Sequence, residues 1–107
     1  LAVQDQLDDD SLKALTFGRT WVGQDFNGDP FIQQFTDDGR VVLRSRVSLL
    51  SGTAEIRDKM VCIRYPAALL GREDCGHVYR NSGGTPEKHN EYVQVALGEI
   101  YFFSVKP

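Results

Sequence analysis

The sequence predicts an all-β protein: a small antiparallel up-and-down barrel or closed sandwich of about eight strands, with a short N-terminal helix. Short β-type segments alternate with turn residues at intervals of ~8 to 12 residues, which is typical of antiparallel sandwiches and barrels. The connections are too short for the helical crossovers that parallel strands require. At 107 residues, the chain is long enough for one hydrophobic core, so we expect one domain.

The N-terminal region is expected to be a flexible acidic arm followed by a short helix. Residues 1–10 contain four aspartates and lack a clear periodicity, so we assign them to the arm and residues 11–107 to the β domain. Asp10 or Ser11 would cap the helix. Leu12 and Leu15 recur at helical spacing, and they would pack across one end of the β structure.

Eight segments have strand character. They comprise residues 19–24, 30–36, 40–47, 53–57, 60–65, 75–80, 91–97 and 99–105. A three-residue loop that ends at Gly39 would place Phe35 opposite Val41, Gln33 opposite Leu43 and Phe31 opposite Ser45. We prefer this register because it brings most apolar side chains of the hairpin onto one face.

The opposite face of the first strands is a candidate protein interface. Continuing the register back through a hairpin turn at Asn27-Gly28 assigns Val22 to the core. It leaves an unusually apolar outer face, which carries Trp21, Ile32, Val42, Arg44 and Arg46. Trp and Arg frequently anchor protein interfaces, so we interpret these five residues as a possible contact patch.

The two cysteines are predicted to form one cross-strand disulfide. Cys62 and Cys75 lie on consecutive predicted strands, and folding these strands about a loop centred between Ala68 and Leu69 places the cysteines opposite one another. Such a bond would stabilise the fold by roughly 3 kcal/mol. It also favours a periplasmic or secreted protein over a cytosolic one with two free thiols. The first residue, Leu1, fits removal of a signal peptide or trimming of the chain.

The last hairpin is a candidate site for a small ligand. Its strands are apolar on both faces, and one face carries Tyr92, Tyr101 and Phe103. Large exposed apolar surfaces are uncommon on monomers. We therefore expect the N-terminal helix, a partner or a bound apolar ligand to cover these three side chains.

The composition disfavours several classes of partner. The charged fraction is 25%, the net charge is −3, and no stretch of Lys and Arg could follow a phosphate backbone, so nucleic-acid binding is not expected. No apolar run approaches the ~20 residues of a membrane-spanning helix. The chain is therefore expected to bind protein or small molecules.

We expect no metal, cofactor or catalytic site. Besides the two cysteines, only His77 and His89 could supply histidine ligands, and these four residues lack the spacing of a metal-binding cluster. The sequence from Asp25 to Asp29 resembles the start of a calcium loop, but Pro30 stands where that loop needs glycine. No nucleophile can be tied to His77, and a catalytic role would require a carboxylate such as Glu73 or Asp74 beside it.

Four segments resemble a group of exported bacterial proteins. They are TWVG at 20–23, FTDDGR at 35–40, CIRY at 62–65 and CGHVYR at 75–80. These segments resemble small exported proteobacterial β-barrel proteins of uncharacterised function, some described as lipocalin-like. The resemblance implies an exported, disulfide-bearing barrel without a known catalytic set.

Two functional hypotheses follow from the sequence. The first is a non-enzymatic exported binding protein that acts through a protein–protein contact or self-association, such as an accessory subunit or an inhibitor. The alternative is a carrier of a small apolar ligand in a lipocalin-like β-barrel.

Overall fold

A computed structural model describes residues 2–83, 90–96 and 98–107, without the side chain of Leu69, and it places a closed antiparallel barrel there. Each strand pairs with the next, and the first pairs with the last. This confirms the predicted fold class. The strands are β1 (Thr20–Asp25), β2 (Pro30–Phe35), β3 (Arg40–Ser45), β4 (Leu49–Arg57), β5 (Met60–Arg64), β6 (Glu73–Arg80), β7 (Tyr92–Ala96) and β8 (Glu99–Lys106).

Strand β4 differs most from its predicted bounds. It begins at Leu49, four residues before the predicted start, because residues 49–52 pair with β3 instead of forming a corner. On its other side, Gly52 allows a close approach to the end of β5, since a Cβ atom there would lie 2.0 Å from the carbonyl oxygen of Arg64. Leu97, the predicted end of the seventh strand, lies outside the described residues.

The register of the β2–β3 hairpin is as predicted, and that of β1–β2 is not. Phe35 pairs with Val41, as the loop ending at Gly39 required. Five residues separate Gln24 from its partner Pro30, where a two-residue turn was expected. A one-residue change of register exchanges the two faces of a strand. Trp21 therefore faces the barrel interior, opposite Gln33.

The Asp25 side chain explains the longer β1–β2 loop. Its Oδ1 atom accepts hydrogen bonds from the backbone N–H groups of Asn27 and Asp29, each over 2.9 Å. Aspartate commonly stabilises turns in this way by bonding to backbone two residues ahead. The loop thereby acquires the odd length that turns Trp21 inward.

The core fills one end of the barrel, which we call the closed end. Trp21 is fully buried there, with its ring 4.1 Å from that of Phe103 and 4.8 Å from that of Phe35. Helix α1 (Asp9–Thr16) covers this end and buries Leu12. The Trp21 indole N–H donates to the Leu15 carbonyl over 3.1 Å, which ties the helix to the barrel.

The packed part of the chain begins before residue 11, the predicted start of the β domain. Asp8, instead of Asp10 or Ser11, caps α1 by accepting a hydrogen bond from the Ser11 N–H. Leu7 is buried, and Gln6 forms a β-bridge with Tyr79. Residues 6–10 therefore belong to the structured domain instead of a separate arm.

The predicted disulfide between Cys62 and Cys75 is present. The two cysteines are paired residues on β5 and β6, and their bond lies on the outer face of the barrel. Beside it, Arg57 forms an ion pair with Glu73, and this pairing lowers the pKa of the Glu73 carboxyl group. Among the described residues, no helix has the length and apolar character needed to cross a bilayer.

Replacing Trp21 with Ala should lower the free energy of unfolding by about 3 to 5 kcal/mol, because it leaves a large cavity in the core and removes the bond to Leu15. Urea unfolding measures this loss. Ile32→Ala on the outer face is the control, with an expected change of about 0.5 kcal/mol. A Trp21→Ala protein as stable as the wild type would contradict the inward position of this side chain.

Candidate functional site

The barrel interior contains a cavity at the end opposite α1, which we call the open end. Its volume is about 270 Å³, close to the lower limit of ~300 Å³ for typical ligand pockets. Residues where β1 and β3 end and where β2 and β8 begin line it. Its apolar wall consists of Phe31, Leu43, Ile63, Tyr65 and Tyr101.

The apolar wall is continuous with the protein core. Phe31 and Ile63 are buried members of the core cluster, and they also line the cavity. The rings of Phe31 and Tyr101 meet edge to face, with their centroids 6.0 Å apart. Aromatic side chains in this arrangement present large rigid surfaces to whatever occupies the cavity.

Two glutamines place polar groups among these apolar side chains. Gln33 and Gln94 line the cavity and are each only 8% exposed. The Gln33 Nε2–H group donates to the Tyr65 hydroxyl oxygen over 2.9 Å. Burial raises the pKa of Tyr65 to about 12, so this hydroxyl remains neutral at physiological pH. The Gln94 side chain forms no hydrogen bond with any other described residue.

Asp74 contributes a partly buried carboxylate to the cavity. Its Oδ1 atom is inaccessible to solvent and has no hydrogen-bond partner among the described residues. Burial raises the pKa of this carboxyl group above its ordinary value, and the nearby negative charge of Glu99 adds to the shift. A buried polar atom without a partner opposes folding.

The other charges of the lining lie at the mouth of the cavity. Asp25 binds the backbone of its own loop through Oδ1. Arg46 Nη2 lies 3.6 Å from Asp29 Oδ1, in an exposed ion pair. Tyr101 donates its hydroxyl hydrogen to Glu99 Oε2 over 2.5 Å. The lining therefore carries three aspartates and one arginine, and that arginine is already paired.

The predicted interface patch does not form as one surface. Trp21 is in the core, because the β1–β2 loop reverses the faces of β1. Ile32 is 40% exposed on the outer face, where Arg44 is its partner on β3. Val42 is partly buried, and Arg46 lies at the cavity mouth.

The predicted ligand-binding residues are also separated. Tyr101 lines the open-end cavity, whereas Phe103 is fully buried in the core with the Tyr92 ring stacked 5.5 Å from it. Between the helix and the last hairpin the structure has an open groove that Tyr92 lines with Leu15 and Val105, but neither Tyr101 nor Phe103 lines it. The cavity lies at the other end of the barrel.

Most residues of the cavity lining were not predicted from the sequence. Gln33 gave a usable signal, since a glutamine between Phe31 and Phe35 on the core-facing side interrupts an otherwise apolar row. Asp74 and Gln94 gave none, because β6 and β7 are placed opposite β2 only when the barrel closes.

His77 lies on the outer face of β6, away from the cavity. Its Nδ1 atom is 2.9 Å from both the Lys59 carbonyl oxygen and the Gln6 Nε2 atom. Asp74 faces the interior, and Glu73 is paired with Arg57. The His77–carboxylate pair that a catalytic role would need is therefore not formed. His89 lies outside the described residues.

Asp74→Asn should stabilise the protein at pH 7. Because the pKa of Asp74 is raised in the folded state, folding favours its protonated form, and the ionised carboxylate opposes folding once the pH exceeds the folded-state pKa. Because solvent screens this partly buried carboxylate, the gain should be small, on the order of 0.5 kcal/mol or less, and it should shrink as the pH falls towards the ordinary value of 3.8. Urea unfolding across this pH range tests it, with Asp10→Asn on α1 as control. A less stable Asp74→Asn protein at pH 7 would be the contrary result.

The open end thus combines an apolar wall with a few polar groups that have spare bonding capacity. This is the usual composition of a small-molecule pocket. Comparison with protein-family models, curated proteins and solved structures finds no match to this chain.

Proposed function

We propose that this protein is an exported, non-enzymatic binding protein that holds a small, largely apolar molecule in the open end of its barrel. The observation that carries the proposal is the interior cavity of about 270 Å³. An eight-stranded barrel has just enough interior space for side chains or one small ligand. Here side chains fill the closed end and leave the open end accessible.

The chemistry of the lining supports a small ligand. Apolar ligand pockets usually contain a small number of polar groups that orient the molecule. Tyr65, Asp74 and Gln94 provide these groups within a wall made mainly of aromatic and aliphatic side chains. A lipocalin-like mode of binding, with the ligand entering through the end of the barrel, fits this arrangement.

The disulfide supports an exported location. Disulfides persist in the periplasm and outside cells, and they are rare in the reducing cytosol. The bond between Cys62 and Cys75 closes a loop with a sequence separation of 13 residues, which corresponds to a stabilisation of roughly 3 kcal/mol. A periplasmic or secreted protein would retain that contribution.

Titration with 2-phenylethanol tests the proposal with a neutral probe small enough for the cavity. Saturable changes in NMR chemical shift are expected at Tyr65, Gln94 and Tyr101. Leu43→Trp should abolish them, because the larger ring would occupy the cavity. Val42→Trp adds the same ring on the outer face of β3 and should leave binding unchanged.

Native mass spectrometry of freshly purified protein complements the titration, since a small molecule that copurifies with the wild type should be missing from Leu43→Trp. Circular dichroism verifies that both tryptophan variants are folded. The proposal fails if 2-phenylethanol causes no saturable shifts, or if the shifts centre on the closed end.

A protein contact is the second candidate function, and the apolar residues around the open end favour it. Four large apolar side chains in or beside the loops at this end are exposed: Phe26 by 67%, Val47 by 90%, Leu49 by 71% and Leu70 by 90%. We call these residues the rim. Exposed apolar groups gathered at one place are typical of interaction surfaces.

Affinity capture from the native exported fraction tests this second function. The wild type should retain a protein that a Leu49→Ser, Leu70→Ser double variant loses, because the variant removes two apolar groups from the rim. Val3→Ser, which changes an exposed apolar residue away from the open end, is the control. Equal capture by all three proteins would exclude a contact through the rim.

A further inference from the structure

The polar groups in the cavity restrict the chemistry of the ligand more than its apolar wall does. Asp74 Oδ1 is shielded from solvent and has no hydrogen-bond partner in the described chain. Gln94 is 8% exposed, and its amide likewise forms no bond to another described residue. Buried polar groups are nearly always satisfied in folded proteins. The Asp74 carboxyl group therefore lacks a partner in the described chain, and its accessible part lines the space that a ligand would occupy, together with the Gln94 amide.

The partner of Asp74 must be a hydrogen-bond donor if the carboxyl group is ionised. An ionised carboxylate can only accept hydrogen bonds, and it interacts most strongly with charged donors. The other lining carboxylates are already engaged, since Asp25 binds its own loop and Asp29 pairs with Arg46. Asp74 is thus the carboxylate left for a ligand.

The electrostatic environment of the cavity favours a cation. Three aspartates and one arginine line it, and Glu99 adds a further negative charge beside Tyr101. These carboxylates would repel an anion in the cavity, whereas a cation there would lower their electrostatic free energy.

We infer that the ligand is a small organic cation, a protonated amine attached to an apolar group, with its ammonium group bound to Asp74 and its apolar part against Phe31, Leu43 and Tyr101. This inference rests on the proposed function, because it names the chemical class of the ligand in the same cavity. The Gln94 side-chain carbonyl is a second acceptor for the ammonium hydrogens. Protonated amines are charged at pH 7.

Comparing 2-phenylethylamine with 2-phenylethanol tests the inference, because the two probes have nearly the same size and differ in charge. NMR titration of the protein at pH 7 gives both dissociation constants. The amine should bind the wild type at least about tenfold more tightly, as expected for one partly desolvated ion pair. The anionic probe 3-phenylpropanoate should bind more weakly than the alcohol.

Asp74→Asn should abolish the preference for the amine, and the alcohol should still bind the variant because the apolar wall is unchanged. The alcohol titration then also shows that the variant is folded with its cavity intact. Asp10→Asn makes the same change of net charge on α1 at the closed end, and it should keep the preference. This control separates a local contact with Asp74 from the effect of overall charge.

Equal affinities of the wild type for amine and alcohol would overturn the inference and leave the proposed function standing, since the cavity would still bind a neutral probe. Retention of the amine preference in Asp74→Asn would also overturn it. If neither probe binds the wild type, the proposed function itself fails. The two failures are therefore distinguishable in one series of titrations.

Discussion

Closure of the barrel by pairing of β1 with β8 is the constraint on which the rest of the structure depends. It places Trp21 against Phe103, and these rings fill the closed end together with Phe35. The interior of an eight-stranded barrel is narrow, so three large rings and the covering helix leave no room there. The remaining interior space is thus confined to the open end.

The polar groups that line this space oppose folding. Their presence therefore points to a role in binding. A protein selected for stability alone would bury Leu or Ile at the positions of Gln94 and Asp74, since apolar residues of similar size usually replace buried charges without loss. Functional sites commonly retain groups that lower stability. The disulfide and the tightly packed closed end offset this cost elsewhere in the molecule.

The cavity and the rim lie at the same end of the barrel, and this connects the two functional candidates. Val47 lines the cavity and is also one of the most exposed apolar residues. A partner bound to the rim would cover the mouth of the cavity. Ligand occupancy and partner binding would then affect one another through shared residues, without a conformational change in the barrel.

The sequence by itself determined the local features. Turn residues and alternating apolar positions predicted eight antiparallel strands, the Gly39 loop predicted the β2–β3 register, and the spacing of Cys62 and Cys75 predicted their bond. Each of these depends on neighbouring strands only. The tertiary structure decided the face of β1, because Trp21 becomes buried against the Phe103 ring only when β1 pairs with β8, the last strand of the barrel. It also decided the site, since Asp74 and Gln94 meet Phe31 only across a closed barrel.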